Sequence, residues 1–158
     1  MGGFFPASDL IALSNQFDFC LEDYPYFIET GTNVGDTLYE MDKSNLFTHL
    51  ISIELNPTIH AVAQKRFQKT REWNENRSDY WKRVKNSNIQ LICGDSEIEL
   101  PKVCERVSQP AIFFLDAHYC HEYLGMETAR GNSDCPLMEE LMAIKERPFG
   151  DIIICDDY

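Results

Sequence analysis

The chain has 158 residues, 44% of them hydrophobic, which is enough to bury one core without staples, so a single domain spanning 1–158 is expected. Its 14 basic and 26 acidic side chains leave a formal charge of -12, a surface that repels phosphate backbones and argues against a nucleic-acid partner. No apolar run approaches the ~18 residues of a membrane span, and residues 1–6 lack both the basic start of a signal peptide and a myristoylation motif, Pro6 standing where Ser or Thr is needed. A cytoplasmic protein without a membrane partner is the expectation.

In chain order, residues 1–25 read as an N-terminal helical segment, with a helix over 8–17 laid on the cofactor side or the sheet edge, and 26–158 as the core. Five short apolar runs follow at 26–30, 50–55, 89–93, 111–115 and 152–155. They are near-continuously hydrophobic, as expected of strands covered on both faces, and they alternate with helical patterns, the signature of a parallel α/β sheet. Between the first two, Gly31 and Gly35 mark a turn into a helix-like segment. Asn56-Pro57 supplies an N-cap and a first-turn proline, after which Ile59, Val62, Ala63 and Phe67 recur at helical spacing. Residues 70–88, with Trp73, Tyr80 and Trp81, read as an amphipathic excursion rather than a nucleic-acid stacking platform. Residues 117–134 form a long polar loop, a length that is often functional. Asp134-Cys135-Pro136 then starts a helix with the stripe Leu137, Met138, Leu141 and Ile144, and with Glu139, Glu140, Lys145 and Glu146 on a solvated face.

The six cysteines contain no CxxC pair and read as free thiols of a reducing compartment, with Cys93, Cys104 and Cys155 in segments expected to be buried. Cys120 and Cys135 bracket the polar loop and could pair, and together with His118 and His121 they could hold zinc, although the tight paired spacing of structural zinc sites is missing.

Acids recur at the strand ends: Glu29, Glu54, Asp95, Asp116, and Asp156 with Asp157. Any one of them reads as a turn or cap residue. In an open parallel sheet, however, all would gather at the carboxyl rim where ligands bind. Glu29, Glu54 and Asp95 then suit a nucleoside: glycines let backbone approach the ligand, and an acid 19 positions after Gly35 accepts hydrogen bonds from ribose. Asp116, Asp156 and Asp157 suit a hard cation, since adjacent strands lie ~4.8 Å apart.

These residues resemble the class I S-adenosylmethionine-dependent methyltransferases over about 26–158. Glu29-Thr30-Gly31-Thr32-Asn33-Val34-Gly35 is similar to their first motif, Ser52-Ile53-Glu54-Leu55 to the acidic end of the second strand, and Gly94-Asp95-Ser96 to the adenine-side motif. The segments 114–119 and 154–158 further resemble metal-dependent O-methyltransferases acting on macrolide-type sugars, and the related cephalosporin hydroxylase group. The resemblance implies a Rossmann-like doubly wound sheet of order 3-2-1-4-5, truncated after the fifth strand. It implies S-adenosylmethionine held by Glu29, Thr30, Gly31, Thr32, Gly35, Glu54, Leu55, Gly94, Asp95, Ser96 and Asp116. It also implies magnesium on Asp116, Asp156 and Asp157, and His118 as the base, with His121 and Tyr119 as second choices. A sugar or other diol becomes the expected methyl acceptor, because it would chelate the metal.

The usual continuation of this fold is missing after Tyr158, so the chain is expected to be a fragment or to cover its sheet edge by forming a homo-oligomer. Two other readings stand beside this one: a nicotinamide-dependent oxidoreductase, disfavoured by Thr32 where that turn prefers Gly, and a non-catalytic cofactor-binding module.

Overall fold

The computed structural model describes residues 4–75, 88–118, 130–133 and 135–156, with backbone alone for 69–75. In chain order the elements are α1 (Ala7–Phe17), a 3-10 turn (Leu21–Asp23), β1 (Tyr26–Thr30), α2 (Asp36–Ser44), β2 (His49–Glu54), α3 (Pro57–Glu75), β3 (Asn88–Cys93), α4 (Ser96–Arg106), β4 (Ala111–Leu115), α5 (Leu137–Lys145) and β5 (Ile152–Cys155). The strands form one parallel sheet in the order β3-β2-β1-β4-β5, the Rossmann-like order expected. The winding direction reverses between β1 and β4, which opens a crevice outside the carboxyl ends of those two strands.

Alternation along each strand splits the core into two layers. Ile28, Ile51, Ile53, Phe113 and Leu115 pack on α4 and α5 through Leu100, Val103 and Ile144. Phe27, Leu50, Ile112 and Phe114 pack on the other face against Leu10 of α1, Leu38 and Met41 of α2, and Phe67 of α3. The leading segment joins this second layer rather than an edge: Phe5 stacks on Phe114 with ring centroids 5.0 Å apart, and its amide donates to Thr37 Oγ1 at 3.1 Å.

Local chemistry explains the helix boundaries. Asn56 Oδ1 accepts from Thr58 N at 2.9 Å and Ile59 N at 3.3 Å, so the expected cap of α3 forms, although Val62 points to solvent while Ile59, Ala63 and Phe67 are buried. α4 is capped by Asp95, whose Oδ1 accepts from Glu97 N at 3.1 Å, and it tolerates Pro101 inside it. α5 begins at Leu137 with Pro136 in the cap position and no side-chain cap, while Asp134 lies outside the described residues.

Three sequence expectations are corrected. Met138 is 65% exposed and Glu140 is 0% exposed, so the inward stripe of α5 is Leu137, Glu140, Leu141 and Ile144. Coverage on both faces holds for β1, β2 and β4 but not for β3 and β5, the outermost strands, each of which has a neighbour on one side only. For the same reason Cys93 and Cys155 are exposed, and only Cys104 of the three is buried. Cys20 and Cys135 are exposed free thiols as well. Cys120, His121, Tyr119 and most of the excursion at 70–88 lie outside the described residues.

Candidate active site

β1 runs into a turn that demands glycine at two points. Gly31 and Gly35 have φ of 83° and 82°, the left-handed region where a side chain is strained. A Cβ on Gly31 would stand 2.5 Å from the Asp116 carbonyl oxygen, and one on Gly35 would stand 2.9 Å from the Phe67 ring. The turn is therefore pressed against the end of β4 on one side and against α3 on the other. The amides of Gly31 and Thr32 both donate to the Ile53 carbonyl, at 2.9 and 3.1 Å. From outside, Arg66 of α3 donates to the Val34 carbonyl at 3.0 Å and to Asp36 Oδ1 at 2.6 Å, fastening the turn to the start of α2.

Behind this turn the strand-end acids converge as expected. Glu29 is buried and paired in register with Ser52, whose hydroxyl donates to Glu29 Oε2 at 2.6 Å, while Thr32 Oγ1 lies 2.6 Å from Ser52 Oγ. Burial pushes the Glu29 carboxyl up to about 8. The Ser52 bond pulls it down, and the nearby charges of Asp116 and Glu54 push it further up. Glu54 is buried too, and its two oxygens are taken by backbone: Oε2 accepts from Asn33 N and Oε1 from Asn56 N, both at 2.8 Å. Burial raises its pKa and the two amides oppose that rise. Asn33, at φ 50°, keeps its Oδ1 buried and without a hydrogen-bond partner among the described residues.

On the β4 side, Asp116 extends the ladder by donating its amide to the Thr30 carbonyl at 3.1 Å, and Asp156 does the same to Leu115 at 3.1 Å. The two acids thus follow paired residues of adjacent strands, Leu115 and Cys155. His118 Nδ1 lies 3.2 Å from Asp116 Oδ1, a histidine with an acid beside it, without hydrogen-bond alignment.

The structure brings Glu29, Thr30, Gly31, Thr32, Gly35, Glu54, Leu55, Asp116, His118 and Asp156 to one end of the sheet. Gly94, Asp95 and Ser96 follow β3 at that same end, where the Gly94 amide donates to the Glu54 carbonyl at 2.9 Å. Asp95 is the helix cap that any single acid of this kind suggests, and its second oxygen accepts from Asn132 N at 3.2 Å, so the 131–132 loop rests on it. Ser96 is buried on the other side, next to Thr30 and Glu140.

Several residues here escaped the sequence reading. Ser52 stands within the Ser52-Ile53-Glu54-Leu55 motif but was not expected to be a site residue, although it lies two positions before Glu54 on the same strand face. Glu140 was legible in the i, i+3, i+4, i+7 pattern of α5, had its charge not been taken as a sign of exposure. Nothing local marked Arg66.

The donors were tested against a metal ion. Among the described residues, no group of three or more His, Cys, Asp or Glu is arranged to hold one. Asp116 and Asp156 stand side by side, but the third expected ligand, Asp157, lies outside the described residues, as do two of the four zinc candidates. The described donors do not make up a magnesium site.

No protein-family model matches the sequence, and no curated protein matches it. Solved structures do. Precorrin 8w decarboxylase from Methanobacterium thermoautotrophicum is 16% identical with a TM-score of 0.54, covering 97% of this chain and 63% of its own. The SAH-bound methyltransferase of Podospora anserina is 17% identical with a TM-score of 0.53, covering 94% of this chain and 50% of its own. An rRNA methyltransferase from Streptomyces viridochromogenes is 13% identical with a TM-score of 0.54, covering 97% of this chain and 74% of its own. The chain thus spans less than two thirds of the first two neighbours, and what it shares with all three is the fold.

Proposed function

We propose that this chain binds S-adenosylmethionine across the carboxyl ends of β1, β2 and β3 and directs its methyl group to a hydroxyl of a small molecule. One observation carries the reading: a positive-φ glycine turn at the reversal point of the sheet, flanked by the buried acids Glu29 and Glu54, with the turn's own amide at Asn33 tied to Glu54. When bound, the cofactor supplies an electrophilic methyl on a cationic sulfur. Glu29, raised to about 8 by burial, is mostly protonated at neutral pH in the free protein, and a bound sulfonium favours its ionised form. Asn33 Oδ1 and the remaining lone pairs of Glu54 are acceptors for ribose hydroxyls, and Gly31 leaves room for close backbone approach.

His118 is the base in this proposal. With Nδ1 toward Asp116, Nε2 is the nitrogen free to take the acceptor's proton, and such contacts tighten when substrate arrives. The protein's further contribution is alignment, since displacement at a methyl carbon needs the nucleophile in line. The acceptor in this proposal is a hydroxyl compound, of which a sugar or other diol is one case.

Calorimetric titration of S-adenosylmethionine and of a nicotinamide dinucleotide tests the reading. Binding of the first, weakened about tenfold or more in Glu54→Ala, is the expected result. Binding of the dinucleotide alone would overturn it.

A further inference from the structure

Glu140 is a carboxyl group shut away from water: it is 0% exposed, and the hydroxyls of Ser96 and Thr30 stand close enough to lower its pKa, although neither Glu140 nor Thr30 is aligned for a hydrogen bond among the described residues. The two belong to different parts of the fold, α5 and the last residue of β1, and the buried Ser96 beside them is the first residue of α4. Buried polar groups without an aligned hydrogen bond are rare, so a function has to be sought for two such residues in one place.

We infer that Glu140 is a positioning residue of the nucleoside site: buried between Thr30 and Ser96, it sets the spacing between the Gly31 turn and the Asp95 cap. The inference rests on the rim being the S-adenosylmethionine site. Thr30 is followed directly by Gly31, and Ser96 directly follows Asp95, so a side chain spanning the two from behind spans both halves of the proposed cofactor cradle. The donor count agrees: a protonated carboxyl offers one O–H and one carbonyl oxygen, and the two hydroxyls can accept the first and donate to the second.

A carboxylate would be unsupported here. The charged groups facing it are Asp95 and Glu97 at the start of α4, both acidic, and from β5 it faces the titratable thiol of Cys155, itself raised by burial and so neutral. Burial pushes Glu140 up from the ordinary carboxylate range, and the two hydroxyls offset this only in part. Raising the pH until Glu140 ionises should therefore drive the two halves of the cradle apart.

The test uses E140Q, which keeps length and neutrality, and E140D, which keeps acidity but is one methylene too short to span the gap. S-adenosylmethionine affinity is measured at pH 6.5 and pH 9, together with hydrogen exchange of the Gly31, Thr32, Glu97 and Ile98 amides in the ligand-free protein, corrected for intrinsic rates. E140Q is expected to bind like the parent at the lower pH and better than it at the higher one, because it cannot ionise. E140D is expected to bind about tenfold worse than E140Q at both values, with faster exchange in both amide groups. A constant ratio of parent to E140Q across the pH range, or wild-type affinity in E140D, overturns the inference. If the parent binds no S-adenosylmethionine, the reading of the rim fails separately, and exchange decides for Glu140. Acceleration in both amide groups of E140D then sustains the span from Thr30 to Ser96, and acceleration in one group or neither refutes it.

Discussion

Glu29 offers a sharp test of how the rim holds its charge. The ordinary glutamate value of 4.5 is raised to about 8 in the folded protein, with burial as the largest cause. An acid whose folded pKa exceeds its unfolded value binds more protons in the native state, so stability falls as pH rises through the window between the two. The penalty is absent below about pH 4.5, grows through neutrality and is complete above about pH 8. At about 1.4 kcal/mol per unit, the wild type loses about 4 kcal/mol between pH 5 and pH 9 on this account. Glu29→Gln removes the ionisation while Gln can still accept the Ser52 hydroxyl at Oε1. Urea unfolding of both proteins at the two pH values should show the variant gaining about 4 kcal/mol relative to the parent on going to pH 9. A difference between them that does not change with pH would refute the reasoning, and with it the claim that Glu29 is desolvated at the rim.

Three further outcomes follow from named contacts. Gly31→Ala forces a side chain into positive φ and against the Asp116 carbonyl, and should cost at least about 2 kcal/mol in chemical denaturation and abolish S-adenosylmethionine binding in calorimetry. His118→Ala should slow methyl transfer by about 100-fold while leaving cofactor affinity nearly unchanged, as read from kcat and a titration; equal rates would remove His118 from the mechanism. Arg147 is buried and donates to the carbonyls of Cys104, Val107 and Gln109 and to Asp151, whose Oδ1 in turn accepts the amide of Ala111 at the start of β4. Arg147→Met should cost about 3–5 kcal/mol in urea unfolding because Asp151 is left buried and unpaired, with the residual S-adenosylmethionine affinity of the folded fraction intact.

The fold was legible because its signals are local. Each apolar run is long enough for one strand, Asn56-Pro57 and the Gly31 and Gly35 turn punctuate the chain, and parallel strands place every following acid at the same end. α4 went unread in the sequence: Pro101 lies inside it, where a proline ordinarily breaks a helix unless tertiary packing holds it together.

What the amino-acid order determined by itself was the identity of the strands, the two positions where only glycine fits comfortably, and the grouping of Glu29, Glu54, Asp116 and Asp156 at one rim. Tertiary structure alone decided which acids are desolvated, which are spent on backbone amides as Glu54 and Asp95 are, and that Glu140 faces inward. Charge in a sequence biases a side chain toward solvent without fixing its access. Burial comes from elements distant in the chain closing over a side chain, as α4 and β1 close over Glu140.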